Sequence, residues 1–211
     1  MMKEGRLRIL GRSTSINVRK VLWAADLIGI SYENEPWGLP VRDPNVPEFL
    51  ALNPNGQVPV IVDGDYVLWE SNAILRYLAE SRRSGLWPVD AKERGLVDQW
   101  LTWQVSELNP SWAYAHQALS RRNPAFTDPA RIAQSVASWN KAMGLLDRHL
   151  KQSGGYAANG RVSLADIVLA LSSHRWLLTE FEKPELPAVA AHYAMMQRSE
   201  AGARHMRSDV P

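Results

Sequence analysis

The first part of the sequence alternates short strand-like runs with one helix-like run. Apolar and polar residues alternate over residues 7–10, and a second strand-like run covers residues 30–35. Between them, apolar side chains recur every three or four residues as far as Gly29. This spacing predicts a helix, and glycine is the preferred residue just after a helix end. The pattern therefore predicts a strand, a helix and a second strand in that order.

A hairpin and another helix are predicted next. Pro59 precedes the apolar run Val60-Ile61-Val62, as expected for a proline at the first residue of a strand. Asp63-Gly64-Asp65 is typical of a tight turn, residues 66–69 supply the partner strand, and helical spacing covers residues 72–82. The β-α-β and β-β-α order predicts an α/β domain with a mixed four-stranded sheet and helices on both faces.

The chain changes character after this helix. Serine, glycine and proline break the periodicity, which predicts a linker over residues 83–90 between a first domain at 1–82 and a second at 91–211. The second domain is predicted to be all helical. Its first helix covers residues 91–115, and Pro110 should bend or interrupt it.

Three further helices are predicted in the second domain. Asp128 is placed to cap a helix that carries a regular apolar stripe. Ser163 and Asp166 have the spacing of a capping box, with aspartate in place of glutamate, before an apolar helix over residues 167–178. A last helix over residues 188–198 precedes a short polar tail. The stripe, which we assign to the core, consists of Ile132, Val136, Trp139, Met143, Leu146 and Leu150.

Composition narrows the class of protein. The 211-residue chain is 45% hydrophobic and 22% charged, with a formal net charge of +2, which is ordinary for a soluble globular protein. No basic stripe indicates a nucleic-acid partner. The start lacks the apolar core of a signal peptide, and no run is long enough to span a membrane. We therefore expect a cytoplasmic protein without a membrane partner.

Cysteine and histidine usage limits the possible chemistry. The sequence contains no cysteine, which excludes disulfides, thiolate metal ligands and a cysteine nucleophile. None of the five histidines lies three or four residues from another. No metal site is therefore predicted, and the histidines are expected at the surface or at the edge of the core.

The most specific pattern joins the loop before the hairpin to the helix after it. It consists of Asn53-Pro54-x-Gly56-x-Val58-Pro59 followed by Glu70-Ser71-x-Ala73-Ile74. The second half places a carboxylate, a hydroxyl and free backbone N–H groups at a helix start, where a small zwitterion could bind. The same residues are also compatible with an ordinary hairpin and a capped helix.

This pattern resembles the glutathione-binding signature of the cytosolic glutathione transferases, and in particular of bacterial, serine-type, theta-like members. The likeness extends over almost the whole chain and implies a thioredoxin-like domain followed by an all-helical one. It further implies a cis Val58–Pro59 bond, a Val58 backbone paired with the cysteinyl unit, and a γ-glutamyl end held by Glu70 and Ser71. Gln57 is a candidate for the glycyl end, and its alternative is a solvated loop position.

In that family, a group just after the first strand activates the thiol of glutathione. A hydroxyl donor and a helix N-terminus both favour the thiolate, which is the reactive form. Alignment with serine-type members gives this role to Ser15, with Ser13, Thr14 and Asn17 as alternatives, and Arg12 lies in the same turn. Helix capping alone would also select a serine at this position.

The resemblance also implies an electrophile pocket on the first long helix, with Trp103, Gln104, Glu107 and Trp112 as candidates. An apolar wall with a few polar groups suits such a site, although tryptophans at helical spacing are also typical of a core.

The function implied is glutathione transfer, without a metal, by a homodimer. Glutathione is the co-substrate, and its thiolate attacks an electrophilic, largely apolar molecule. One alternative is a glutathione-dependent disulfide reductase or isomerase, which in a chain without cysteine needs a second glutathione to resolve the mixed disulfide. Another is a glutathione-binding protein with the same fold and little turnover.

Overall fold

The computed structural model describes residues 6–207, and the chain divides into two compact units after Trp87. The division falls within the stretch predicted as a linker, residues 83–90. Residues 1–5, where we predicted no signal-peptide core, and residues 208–211 of the polar tail lie outside the described residues.

The described part of the first unit contains a mixed four-stranded sheet in the order β2-β1-β3-β4. Strand β1 (Leu7–Leu10) runs parallel to β2 (Tyr32–Glu35) and antiparallel to β3 (Val60–Asp63). Strand β4 (Tyr66–Trp69) pairs antiparallel with β3 and completes the hairpin. The predicted thioredoxin-like sheet is confirmed.

Helices α1 (Ile16–Ile28), α2 (Pro47–Leu50) and α3 (Ser71–Ser81) accompany this sheet. Apolar residues of α1 and α3 form one core cluster with alternate residues of β1 and β3. Phe49 of α2 and Trp37 form a second cluster with the intervening strand residues. Because successive side chains of a strand point to opposite faces, the two clusters cover the two sides of the sheet.

Strand β2 begins at Tyr32, two residues later than predicted. Gly29 ends α1 with φ 76°, and the N–H of Ile30 donates to the carbonyl of Ala25 at 2.9 Å. Because Ile30 closes the end of the helix, its N–H is not available to a strand ladder.

Helices form the second unit. Asp128 caps α6 by accepting from the N–H of Ala130 at 2.9 Å, and the predicted capping box of Ser163 and Asp166 is present at the start of α7. The helices are α4 (Ala91–Trp103), α5 (Asn109–Ala115), α6 (Pro129–Gln152), α7 (Leu164–Leu178), α8 (Pro187–Gln197) and α9 (Glu200–His205).

The helix predicted over residues 91–115 is interrupted, as Pro110 suggested. A π-helical turn at Gln104–Leu108 separates α4 from α5, and a second one, His116–Ser120, follows α5. Pro110 has no N–H to donate to the carbonyl of Ser106, four residues earlier, which lies inside the first π-turn. The missing bond explains why the irregular turn lies just before the proline.

The segment predicted as a short polar tail contains a helix. Residues 200–205 form helix α9, which begins where the Ser199 hydroxyl accepts from the N–H of Gly202 at 3.0 Å. Met206 directly follows the helix and is buried. The sequence predicted a short polar tail and did not predict this helix, because so short a helix carries too few apolar residues to produce a periodic pattern.

The histidines are also more buried than predicted. His116, His174, His192 and His205 are at most 5% exposed. His192 lies 3.1 Å from the carboxylate of Asp166, and His174 contacts the hydroxyl of Tyr193 at 3.0 Å. Sequence spacing missed these partners because they come from other helices or from distant turns of the chain.

Candidate functional site

The hairpin brings the two halves of the sequence pattern together. Val60 of β3 pairs with Trp69 of β4, so Pro59 lies beside Glu70 at the end of the ladder. The Val58–Pro59 peptide bond is cis, as the resemblance implied. The register therefore brings the chain around Val58 next to the start of α3.

Glu70 is the N-cap of α3 and has an unusual backbone conformation. Its φ of 75° lies in a region that residues other than glycine rarely adopt. Its Oε2 accepts from the N–H groups of Asn72 at 2.9 Å and Ala73 at 3.0 Å. Its Oε1 has a longer contact, 3.4 Å, with the hydroxyl of Ser71. The carboxylate thus caps the helix with one oxygen and leaves the other with acceptor capacity.

The loop before β3 is held by the side chain of Asn53, which is 2% exposed. Its Nδ2 donates to the carbonyl of Gln57 at 2.7 Å, and its Oδ1 accepts from the N–H and the side-chain amide of Asn55, each at 3.0 Å. Gly56 adopts φ 60°, where a Cβ would lie 2.7 Å from Asn45 Oδ1. These contacts explain why the motif contains an asparagine and a glycine at these positions.

The turn after β1 carries the candidates for thiol activation. Ser13 and Thr14 are exposed, and the Thr14 hydroxyl accepts from Arg12 Nη1 at 2.6 Å. Ser15 occupies the N-cap position of α1 with an extended backbone, but its hydroxyl makes no capping hydrogen bond. Capping therefore does not account for the Ser15 hydroxyl. Asn17, in the first turn of α1, is half-buried.

These segments line a pocket of about 450 Å³ in the first unit. It brings together six of the predicted residues, whereas Ser13, Thr14 and Ser15 are not part of its lining. The lining consists of Asn17, Asn53, Asn55, Gln57, Val58, Pro59, Trp69, Glu70 and Ser71.

Three lining residues were not predicted as site residues: Asn53, Asn55 and Trp69. Asn53 was part of the motif, but a sequence does not show that its side chain organises the loop. Trp69 is the last residue of β4 and is 41% exposed. A large aromatic residue directly before the Glu-Ser pair was the signal that could have identified it.

The candidates of the second unit differ in exposure. Gln104 is buried and its Nε2 donates to Asn109 Oδ1 at 2.6 Å, so its side chain links the π-turn to the start of α5. Glu107 is exposed, and Trp103 and Trp112 are half-buried. The two tryptophans thus combine packing with accessible ring surface, and the sequence had left both roles open for them.

A buried imidazole lies beside Trp112. Neither ring nitrogen of His116 has a hydrogen-bond partner among residues 6–207, and its ring meets that of Trp112 edge to face at 5.5 Å. Burial, together with the positive charges of Arg175 and Arg121, lowers the pKa of His116 to about 3. The imidazole is therefore neutral at physiological pH.

The described residues also bear on metal and membrane binding. Within residues 6–207, no three histidine, aspartate or glutamate side chains are placed to hold a metal ion. No helix in this range has the length and apolar character needed to cross a membrane.

The sequence of the chain is similar to those of glutathione S-transferases. Residues 6–80 match the family model "Glutathione S-transferase, N-terminal domain". The chain is 32% identical over 172 residues to the glutathione S-transferase GstB of Escherichia coli, which covers 78% of this chain and 83% of the relative. It is 42% identical over 147 residues to glutathione S-transferase F10 of Arabidopsis thaliana, or 66% of each chain.

A solved structure extends the likeness to both units. The theta-class glutathione S-transferase of Xanthomonas axonopodis pv. citri, determined with glutathione bound, has a TM-score of 0.90 and 36% identity, covering 95% of this chain and 97% of that one. Such similarity in sequence and fold over nearly the full length of both chains indicates common descent. This protein therefore belongs to the glutathione S-transferase family, which confirms the family predicted from residues 53–74.

Proposed function

We propose that this protein is a glutathione transferase that activates the thiol of glutathione for attack on an electrophilic, largely apolar molecule. The observation that carries the proposal is the composition of the pocket. It combines Asn17 at the start of one helix, the Val58-Pro59 segment before a strand, and the Glu70-Ser71 pair at the start of another helix.

In this proposal, the γ-glutamyl end binds at the start of α3. The ammonium group contacts Glu70 Oε1, the oxygen that is not used in the helix cap. The α-carboxylate accepts from the Ser71 hydroxyl and lies at the positive end of the α3 dipole. Charge-assisted hydrogen bonds of this kind are the stronger ones in proteins, so this end supplies most of the binding specificity.

The cysteinyl unit then pairs with the backbone of Val58, which directs its thiol toward the start of α1. The side-chain amide of Asn17 donates a hydrogen bond to the sulfur, and the Ser15 hydroxyl is a second donor. The positive end of the α1 dipole also favours the thiolate. The thiol proton is lost to solvent. The thiolate then forms a thioether bond to the electrophilic carbon, and the bond from that carbon to its leaving group breaks, so that an aryl halide releases halide to solvent.

Asn17 is proposed ahead of Ser15 because Asn17 belongs to the pocket lining and Ser15 does not. A hydrogen bond to a charged group contributes about 1.5–3 kcal/mol, roughly ten- to hundredfold in rate. Asn17→Ala should therefore lower kcat/KM for a generic aryl halide by this factor and raise the apparent pKa of the pH–rate profile. The affinity for glutathione should change little.

Ser15→Ala is the matched variant, and Ser13→Ala, at an exposed position outside the lining, is the control. A larger loss in Ser15→Ala than in Asn17→Ala would return the main role to the hydroxyl. Retention of the wild-type protein on immobilised glutathione without any conjugation of several electrophiles would instead identify a binding protein.

For the electrophile, we propose contacts with Trp103 and Trp112, whose half-buried rings offer apolar surface, and with the exposed carboxylate of Glu107. We also propose a cytoplasmic location, because a chain without cysteine suits a reducing compartment.

We further propose that the protein forms a homodimer, as members of this family usually do. Sedimentation velocity at micromolar concentration should give a mass of about twice the 23.7 kDa of one chain. A single monomeric species at that concentration would contradict this part of the proposal.

A further inference from the structure

Amides dominate the polar side chains around the pocket. Of the described residues that line it, Glu70 alone carries a charged side chain, whereas Asn17, Asn55 and Gln57 offer neutral amides. Glutathione has one ammonium group and two carboxylates. The single carboxylate of the lining suits the ammonium, so each carboxylate of the ligand must be recognised by neutral donors or by a helix N-terminus.

The strand register supports a position for the Gln57 and Asn55 amides at the glycyl end of bound glutathione. Pro59 lies beside Glu70, because the neighbouring pair in the ladder is Val60 with Trp69. Gln57 and Asn55 precede Val58, on the side of this segment that leads away from the strand ladder and from Glu70. A tripeptide with its γ-glutamyl end at Glu70 and its middle at Val58 therefore points its glycine toward these two residues.

The amides are held in a prearranged loop. The Asn53 side chain binds the carbonyl of Gln57 at 2.7 Å and the Asn55 N–H at 3.0 Å. The same Asn53 oxygen accepts from one N–H of the Asn55 side-chain amide at 3.0 Å. The loop thus needs little reorganisation to present its amides to a ligand.

The nearby guanidinium groups make contacts outside the pocket lining. Arg12 Nη1 donates to the Thr14 hydroxyl at 2.6 Å. Arg42 forms an ion pair with Glu48 at 2.5 Å, and its guanidinium carbon lies 3.4 Å from the centroid of the Trp37 ring. Neither guanidinium group is part of the described pocket lining, where the neutral amides are the donors offered to a glycyl carboxylate.

We propose that the glycyl end of the site is a neutral, amide-lined subsite that accepts thiol tripeptides whose C-terminal carboxylate is capped as an amide. The inference rests on the proposed function and names a wider co-substrate class for the same site. Amide N–H groups donate to a carboxylate oxygen and to a carboxamide oxygen with similar geometry. With neutral donors the carboxylate exchanges hydrogen bonds to water for similar ones in the site, so capping it changes the affinity little. A cationic partner adds an ion-pair attraction, which is lost when the carboxylate is neutralised.

The test compares the dissociation constants of glutathione and its C-terminal amide by calorimetry at pH 7. A cationic subsite would weaken binding of the amide by roughly ten- to hundredfold, because the ion pair and its charge-assisted hydrogen bond are both lost. The neutral subsite predicts a difference of less than about fivefold. A difference of fivefold or more would overturn the inference.

Substitutions at Gln57 provide matched variants, because its side chain is exposed and lines the pocket. Gln57→Lys should introduce a preference for glutathione over its amide, and Gln57→Glu, which is similar in shape, should reverse it through repulsion of the carboxylate. Equal ratios in both variants and the wild type would show that Gln57 does not face the glycyl end, and would overturn the assignment.

N-acetylated glutathione separates this inference from the proposed function. It removes the ammonium group at the Glu70 end and should bind at least tenfold more weakly than glutathione. A protein that binds neither glutathione nor its amide would refute the proposed function. A protein that binds glutathione but rejects the amide would refute only the neutral subsite.

Discussion

Helices α3 and α7 both begin beside a carboxylate, but the two carboxylates have different surroundings. At α7, Asp166 is fully buried. Its Oδ2 accepts from the N–H and the hydroxyl of Ser163, each at 2.8 Å, and its Oδ1 accepts from the Ala157 N–H at 2.8 Å and contacts His192 at 3.1 Å. Both oxygens are fully engaged within the protein.

At α3, Glu70 is exposed and lies at the rim of a pocket. One oxygen caps the helix through Asn72 and Ala73. Among residues 6–207, the other has only the 3.4 Å contact with Ser71. The difference separates two roles of an acidic residue at a helix start. A saturated, buried carboxylate holds the fold together, whereas a partly used, accessible one can bind a ligand.

The largest expected effect comes from removing the saturated carboxylate. Asp166→Ala leaves several buried donors without an acceptor, and breaking such a network costs about 3–5 kcal/mol. The free energy of unfolding in urea should fall by this amount, while the folded variant keeps its glutathione affinity. Ser163→Ala is the milder control, with a cost of about 0.5–2 kcal/mol. A loss below about 1 kcal/mol in Asp166→Ala would show that the buried Asp166 carboxylate is not needed to hold the fold together.

His116 extends the comparison to a buried polar side chain that, unlike Asp166, has no hydrogen-bond partner within the described part of the chain. Burial and nearby arginines lower its pKa to about 3, against about 6.5 in an unfolded chain. Below pH 6.5 the unfolded state binds a proton that the folded state does not, so stability is lost as the pH falls from 6.5 toward 3. At pH 4.5 the loss should be about 3 kcal/mol.

The variant His116→Leu removes this titration and fills a similar volume. The free energy of unfolding, measured in urea, should therefore fall between pH 7 and pH 4.5 by about 3 kcal/mol less in the variant than in the wild type. Other groups titrate in both proteins and cancel in the difference. An identical fall in both would show that His116 is accessible to protons in the folded state.

Local sequence patterns predicted the elements of this protein better than its side-chain contacts. The spacing around Gly29 and the Ser163–Asp166 capping box depend on neighbours within a few residues, and the structure bears both out. The burial of His116 and the helix at residues 200–205 depend on packing between distant segments, which no local pattern reports.

The same limit applies to the candidate site. The motif predicted Val58, Pro59, Glu70 and Ser71 as a group because their spacing is specific, and the pocket brings them together. The choice among the residues of the first turn needed coordinates, because the orientation of Ser15 relative to α1 depends on the exact path of the chain.

Glu70 is proposed to bind the ammonium group of glutathione with the oxygen that it does not use for capping. The most direct test is a calorimetric titration of glutathione into the wild type and Glu70→Gln, whose amide oxygen can still accept from the N–H groups of α3. We expect a dissociation constant about ten- to hundredfold higher in the variant, with an almost unchanged free energy of unfolding. An unchanged dissociation constant would show that Glu70 is only a helix cap and does not bind glutathione.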